Sequence, residues 1–156
     1  MATLTDDPAL EREVVITRRF AAPRALVFLA VTDPAHLARW WGPHGFTAPE
    51  CKLDLRVGGA LRIVMQAPDG QRFPMTGVID ELDPPERFAY RFEAHVDAGG
   101  PALRGRNAMH FVETGEHTEL TVTARAEGLV PAAAMMLAGM EAGWSQSLEK
   151  LAATLA

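Results

Sequence analysis

The chain is poor in cysteine, in lysine and in long apolar runs. Cys51 is the one cysteine in 156 residues, so no intrachain disulfide forms, which fits a reducing compartment. Only two of the 15 basic residues are lysines, Lys52 and Lys150, and no basic run exceeds Arg18-Arg19. A net charge of −5 without a basic stripe speaks against nucleic acid as a partner. No apolar run approaches the ~20 residues that span a bilayer. Met1 to Arg12 carries Asp6, Asp7, Glu11 and Arg12 and has no apolar core, so it does not read as a signal peptide. A cytoplasmic protein without a membrane span is the expectation. Catalytic and metal signatures are also missing. There is no GxSxG, no HxH and no HExxH, and a lone cysteine cannot build a usual zinc site. Neither a metal nor a cofactor nor a catalytic residue is expected.

What is present points to one domain over residues 13–156 behind a polar tail at 1–12. A hydrophobic content of 48% with 22% charged residues is ordinary for a globular chain of this length. Its last stretch, Pro131 to Ala156, has the period of a single long amphipathic helix. Met136, Met140, Trp144, Leu148, Leu151 and Leu155 recur at spacings of three and four. Glu13 to Phe20 alternates like a strand. Ala22-Pro23 ends it and opens a helix to Val31 that buries Leu26 and Val27. Asp33-Pro34 caps a second short helix, which stops near Trp41. From Cys51 onward the pattern is strand and tight turn, with Pro68-Asp69-Gly70 as a hairpin signal, Val96 as the end of one strand and a Gly/Pro loop over Asp97 to Leu103. One face of nearly every strand is apolar. Only the last helix, ~37 Å long against ~27 Å for an eight-residue strand, can cover it. The fold class expected is α+β: a curved antiparallel sheet of about six to seven strands around a long C-terminal helix, with two short helices after strand one.

Several residues admit two readings. Met65, Met75, Met109, Met136 and Met140 fall on inward positions. Methionine fills cores, and it also lines surfaces that accept varied apolar ligands. Gly139 and Gly143 each cost roughly 1 kcal/mol against alanine inside a helix, to be offset by close packing or by space for a ligand. Close packing is the commoner reason. Of Trp40 and Trp41, one points inward, because adjacent helical residues diverge by about 100°. Arg18 stands on the inner face of strand one, with Glu81 as the expected partner unless the side chain reaches the sheet edge. His44 lies in the 42–49 loop, where it is either solvated or an acid/base group. Cys51 begins a strand as a buried, inert thiol.

Ordered local strings resemble the SRPBCC helix-grip superfamily, which includes START lipid-transfer domains and the birch pollen allergen. They are Phe20-Ala-Ala-Pro23 with Val27-Phe28, Thr32-Asp33-Pro34, Trp40-Trp41-Gly42-Pro43 with Gly45-Phe46, Asp54-Leu-Arg56-Val-Gly58-Gly59, Pro68-Asp69-Gly70, and Gly139-Met140 with Gly143-Trp144 and Ser147-Leu148. The set is most similar to the branch homologous to the C-terminal domain of the heat shock protein 90 ATPase activator. The resemblance implies a cavity between sheet and helix. Its expected lining is Trp40, Phe46, Met65, Met75, Phe92, Met109, Met136, Met140 and Trp144. The expected ligand is an apolar or amphipathic small molecule. A co-chaperone-like interaction module is the alternative. It is less favoured, because the sequence lacks the long preceding domain of the eukaryotic activator. A cyclase or hydrolase at the cavity mouth, using His44 or Arg18, is the third reading. Homodimerisation through an open sheet edge is compatible with the pattern but not demonstrated by it. Within the last helix, the Met136–Trp144 part is expected to serve function and the Leu148–Leu155 part stability.

Overall fold

The computed structural model describes residues 10–95 and 100–155. Seven strands form one antiparallel sheet in the order β1-β7-β6-β5-β4-β3-β2. They are β1 (Glu11–Phe20), β2 (Thr47–Leu53), β3 (Ala60–Gln66), β4 (Arg72–Asp83), β5 (Arg87–His95), β6 (Pro101–Thr114) and β7 (His117–Gly128). Strands β2 to β7 are a meander, as their short turns predict. Strand β1 closes onto β7 with Val14 opposite Ala124 and Ile16 opposite Val122. Helices α1 (Arg24–Thr32) and α2 (Pro34–Trp40) carry the chain from one sheet edge to the other. The curved sheet and its C-terminal helix are the helix-grip architecture.

Boundaries differ from the sequence expectation in ways that have physical causes. Strand β1 starts at Glu11, two residues inside the expected tail, because β7 is long enough to pair with Glu11 and Arg12. Strand β2 starts at Thr47 rather than Cys51, with an irregular register between Thr47 and Glu50 that hid its alternation. Pro101 to Leu103 belongs to β6 rather than to a loop, while Val96 and Asp97 lie outside the described residues. Leu26 on α1 is exposed. Val27, Phe28, Ala30 and Val31 face the core instead. Asp33 does cap α2: its carboxylate accepts the His36 N–H, and Pro34 takes the first helical position. Chiefly through its hydrogen bonds from His36, the Asp33 carboxyl is held below its ordinary range.

The closing helix is two helices, α3 (Ala133–Ala138) and α4 (Met140–Leu155), separated at Gly139. The break has a partner far away in sequence. Arg12 Nη1 donates to the carbonyls of Leu137 and Ala138, both at 2.9 Å, and Nη2 reaches Glu141 Oε1 at 3.3 Å. A continuous helix would spend those two carbonyls on residues 141 and 142. Here the guanidinium takes them.

The inner face of the sheet divides in two. At one end, Phe88, Met109, Phe111, Leu120 and Val122 are buried in one cluster with Val27, Val31, Leu37 and Trp40 of α1 and α2 and with Leu148 and Leu151 of α4. Burial of side chains this size contributes about 1.5–3 kcal/mol each, which makes this the stabilising half. At the other end the inward row thins out. In register across three strands stand Gly77, Phe92 and Gly105, with Ala126 next on β7. A Cβ at Gly77 would overlap the Arg91 carbonyl oxygen, and one at Gly105 that of Arg125. Only glycine fits so close an approach of neighbouring strands, and glycine kinks of this kind let a sheet curl. The row that bends the sheet is therefore also short of side-chain volume.

Candidate functional site: a cavity under the broken helix

Above that thin row lies a cavity of about 330 Å³. Its sheet side is Met65 of β3, Phe73 and Met75 of β4, Phe92 and Ala94 of β5, Leu103 and Asn107 of β6, and Ala126 of β7. Its helix side is Met135, Met136, Gly139, Met140, Gly143, Trp144 and Ser147. The rim is Trp41, Gly42, Pro43 and Phe46. Trp41 and Trp144 meet edge to face at 5.5 Å, and Phe46 stacks obliquely on Phe73 at 6.3 Å. Met135 stands at the mouth with 84% of its surface exposed.

Seven of the nine residues expected around a cavity come together here: Phe46, Met65, Met75, Phe92, Met136, Met140 and Trp144. Trp40 and Met109 do not. Trp40 is fully buried in the opposite half, where its indole N–H donates to the Ala30 carbonyl at 2.9 Å. Trp41, the next residue, takes the rim position. Leu37 and Trp40 share the buried face of α2, and that spacing of three was the available signal. Met109 lines no part of the cavity and is packed in the core cluster. Gly139 and Gly143 are not held by close packing. An added Cβ at Gly143 would meet only Pro43 at 3.8 Å, and one at Gly139 only carbonyls of its own helix. They leave the helix wall open.

The floor is polar at one point. Asn107 is buried, and its Nδ2 donates to the Tyr90 hydroxyl at 3.0 Å. Burial pushes the Tyr90 hydroxyl far up from its ordinary pKa, against a smaller opposite pull from Asn107, so it stays neutral. Sequence reading passed over Asn107 because residues 97–103 resembled a loop. The inward phase of Leu103, Met109 and Phe111 places it on the same face.

The rim loop is tied to α4. Ser147 Oγ accepts the Gly42 N–H at 3.1 Å and donates to the Gly143 carbonyl at 2.8 Å. Gln146 Oε1 accepts the His44 N–H at 3.0 Å. Lys150 Nζ donates to the carbonyls of Gly42, Pro43 and Phe46 at 3.2, 3.4 and 3.2 Å. Burial pulls the Lys150 ammonium below its ordinary range.

Among the described residues, no lysine, arginine, histidine, aspartate or glutamate lines the cavity. His44 is exposed and pairs with Glu149 at 2.9 Å on the outside. Arg18 turns to Ser145 Oγ of α4 at 3.4 Å rather than to Glu81, which sits near Arg106 at 3.6 Å. Cys51 is half-buried. Burial, then the nearby Asp33 carboxylate, pushes its thiol up to about 11.

Solved structures share this architecture. A protein from Chromobacterium violaceum is 31% identical, with 91% of this chain and 95% of that one aligned at a TM-score of 0.75. The AHSA1 protein of Silicibacter pomeroyi is 28% identical over 92% of this chain and 97% of its own, with a TM-score of 0.75. A protein from Nitrosomonas europaea is 26% identical over 92% and 93%, again at 0.75. No curated protein matches the sequence. The family described as activator of Hsp90 ATPase homolog 1-like protein matches residues 21–156, and the chain belongs to that family.

Proposed function

We propose that this protein binds an apolar or amphipathic small molecule in the cavity between the kinked sheet and the α3–α4 break. The observation that carries the reading is the lining. About 330 Å³ is lined by aromatic rings, thioethers and small residues, with no ionisable group among the described ones. Ligand pockets have this character, being mostly apolar with few placed polar groups. Five methionines in the lining, Met65, Met75, Met135, Met136 and Met140, add a surface that repacks around different shapes. Binding would be driven by burial at ~25 cal/mol per Å² of apolar surface. Membership of a helix-grip family, which includes ligand carriers, supports the same reading.

Titration with naphthalene tests it. Trp41 and Trp144 fluorescence should change, and the melting temperature should rise as ligand binds the native state alone. The gain is about 2.7 kcal/mol at a hundred times Kd. No fluorescence change and no thermal shift up to the solubility limit would end the proposal.

A protein-interaction module is the second reading. One observation favours it: Met135 is 84% exposed beside the half-buried Trp41 on the rim. If the family description extends to this chain, adding it to heat shock protein 90 should raise the ATPase rate, and Met135→Glu should cancel the increase. An unchanged rate with the unaltered chain removes this reading.

A further inference from the structure

We infer that the Asn107–Tyr90 pair is a polar anchor in the cavity floor that selects an uncharged ligand bearing a hydroxyl group. The inference rests on the cavity being a ligand site and names the class of ligand it takes.

Asn107 has only 4% of its surface exposed, on the inward face of β6 and in the cavity wall. Its Nδ2 donates to Tyr90, and no other described group bonds its carboxamide. Among the described residues, every buried side-chain nitrogen or oxygen that is shut off from open space has a partner. Oδ1 has no partner among the described residues, and the space beside Asn107 is the cavity. A ligand hydroxyl that reaches this acceptor makes a hydrogen bond that an apolar ligand of the same size leaves unmade.

The remaining chemistry narrows the ligand. Ser147, the other polar side chain of the lining, already gives its proton to Gly143 and accepts from Gly42. Among the described lining residues, Asn107 Oδ1 is thus the side-chain oxygen that takes no hydrogen bond, whereas Ser147 Oγ already takes one. The Tyr90 hydroxyl and the carboxamide can also pair the other way round, the tyrosine donating to Oδ1 and the NH₂ facing the cavity. A hydroxyl both gives and takes a hydrogen bond, so it satisfies either arrangement. An anion or cation would meet no counter-charge in the lining, and its burial there is costly. Size follows from the volume. An apolar cavity of about 150 Å³ admits benzene. The present one is about twice that, which suits a two-ring skeleton.

Calorimetric titration of the full chain with naphthalene, 2-naphthol and 2-naphthoate tests the anchor. The expected order is 2-naphthol about fivefold tighter than naphthalene, the worth of one net hydrogen bond, with 2-naphthoate weakest. Asn107→Leu should bring the ratio of the naphthol and naphthalene affinities to about one. Because that change strands the Tyr90 hydroxyl, the double variant Tyr90→Phe/Asn107→Leu is measured beside it and should behave alike. Tyr90→Phe alone keeps the carboxamide and should keep the preference. Equal affinity of the unaltered chain for naphthalene and 2-naphthol overturns the anchor while the cavity stands as a site. Tightest binding of 2-naphthoate also overturns it. Failure of all three probes to bind overturns both the anchor and the ligand-binding reading.

Discussion

The Ser147 hydroxyl accepts the Gly42 N–H at 3.1 Å, and through that bond helix α4 holds the rim of the cavity. Gly42 follows Trp41, so the bond also fixes where the rim indole sits against Trp144. Lys150, one turn further along, gathers the next carbonyls of the same loop. The sequence pattern assigns Leu148–Leu155 to stability. Leu148 and Leu151 do pack the core, but Lys150 within that part, with Ser147 just before it, holds the loop at the mouth.

Ser147→Ala should leave the buried Gly42 N–H without a partner. The expected loss is about 1–3 kcal/mol in urea unfolding. Amide exchange at Gly42 should accelerate more than exchange in the β5–β6 ladder. Equal acceleration everywhere would mean that the bond matters only for global stability and that the rim is not separately held.

Arg12 and Glu141 separate a cap from an ion pair. The guanidinium takes two helix-end carbonyls at 2.9 Å, whereas its contact with Glu141, 67% exposed, lies at the surface. Arg12→Met should therefore cost about 1.5 kcal/mol, the low end of the range for hydrogen bonds to a charged group, because one carbonyl is part-buried and the other exposed. Glu141→Gln should cost under about 1 kcal/mol. Similar losses in the two variants, by chemical denaturation, would make the ion pair the main term and refute the cap.

The element order, the turns and the inward rows were legible because each is a local signal. Asp33-Pro34 caps a helix by itself, and Phe88, Tyr90 and Phe92 alternate whatever surrounds them. The helix break was not legible. Gly139 announces a weak point, but the partner that stabilises the break, Arg12, lies 125 residues from Leu137 and comes near only when β1 pairs with β7. The irregular register between Thr47 and Glu50 erased the alternation that would have started β2 earlier. Asn107 was missed because a Gly/Pro-rich approach masked the strand phase. Gly77 falls in an inward row with Phe73, Met75 and Ile79, but only the register sets it and Gly105 on either side of Phe92.

Cys51 supplies a pH test. Its folded thiol is raised from 9.0 to about 11, so between those values the folded state holds a proton that the unfolded state has lost. Stability from this group is complete below pH 9 and falls as pH rises through 11. The difference in unfolding free energy between the unaltered chain and Cys51→Ala should be flat from pH 6 to 8 and shrink above 9. Alkylation by iodoacetamide should be slow at pH 8 and still increasing at pH 10. A rate that levels off below pH 9 would show a thiol with an ordinary environment.

Trp40 and Ala94 test the division of the inner face into a packed half and an open half. Trp40 is wholly buried among α1 and α2 and lines no part of the cavity, although its ring lies 5.8 Å from that of the rim Trp41. Trp40→Phe removes packing and the bond to Ala30 while keeping an aromatic ring beside Trp41. Its expected cost is about 1–3 kcal/mol in stability, with the naphthalene-induced thermal shift unchanged. Ala94 lines the cavity from β5, half-buried and facing empty volume. Ala94→Phe should project a ring into that volume. Naphthalene binding should fall at least tenfold, while the melting temperature stays within a few degrees, because filling open space lacks the strain of overpacking a closed core. The opposite pattern, with Trp40→Phe weakening ligand and Ala94→Phe only unfolding the chain, would place the ligand among α1 and α2 and leave the broken helix a structural feature alone.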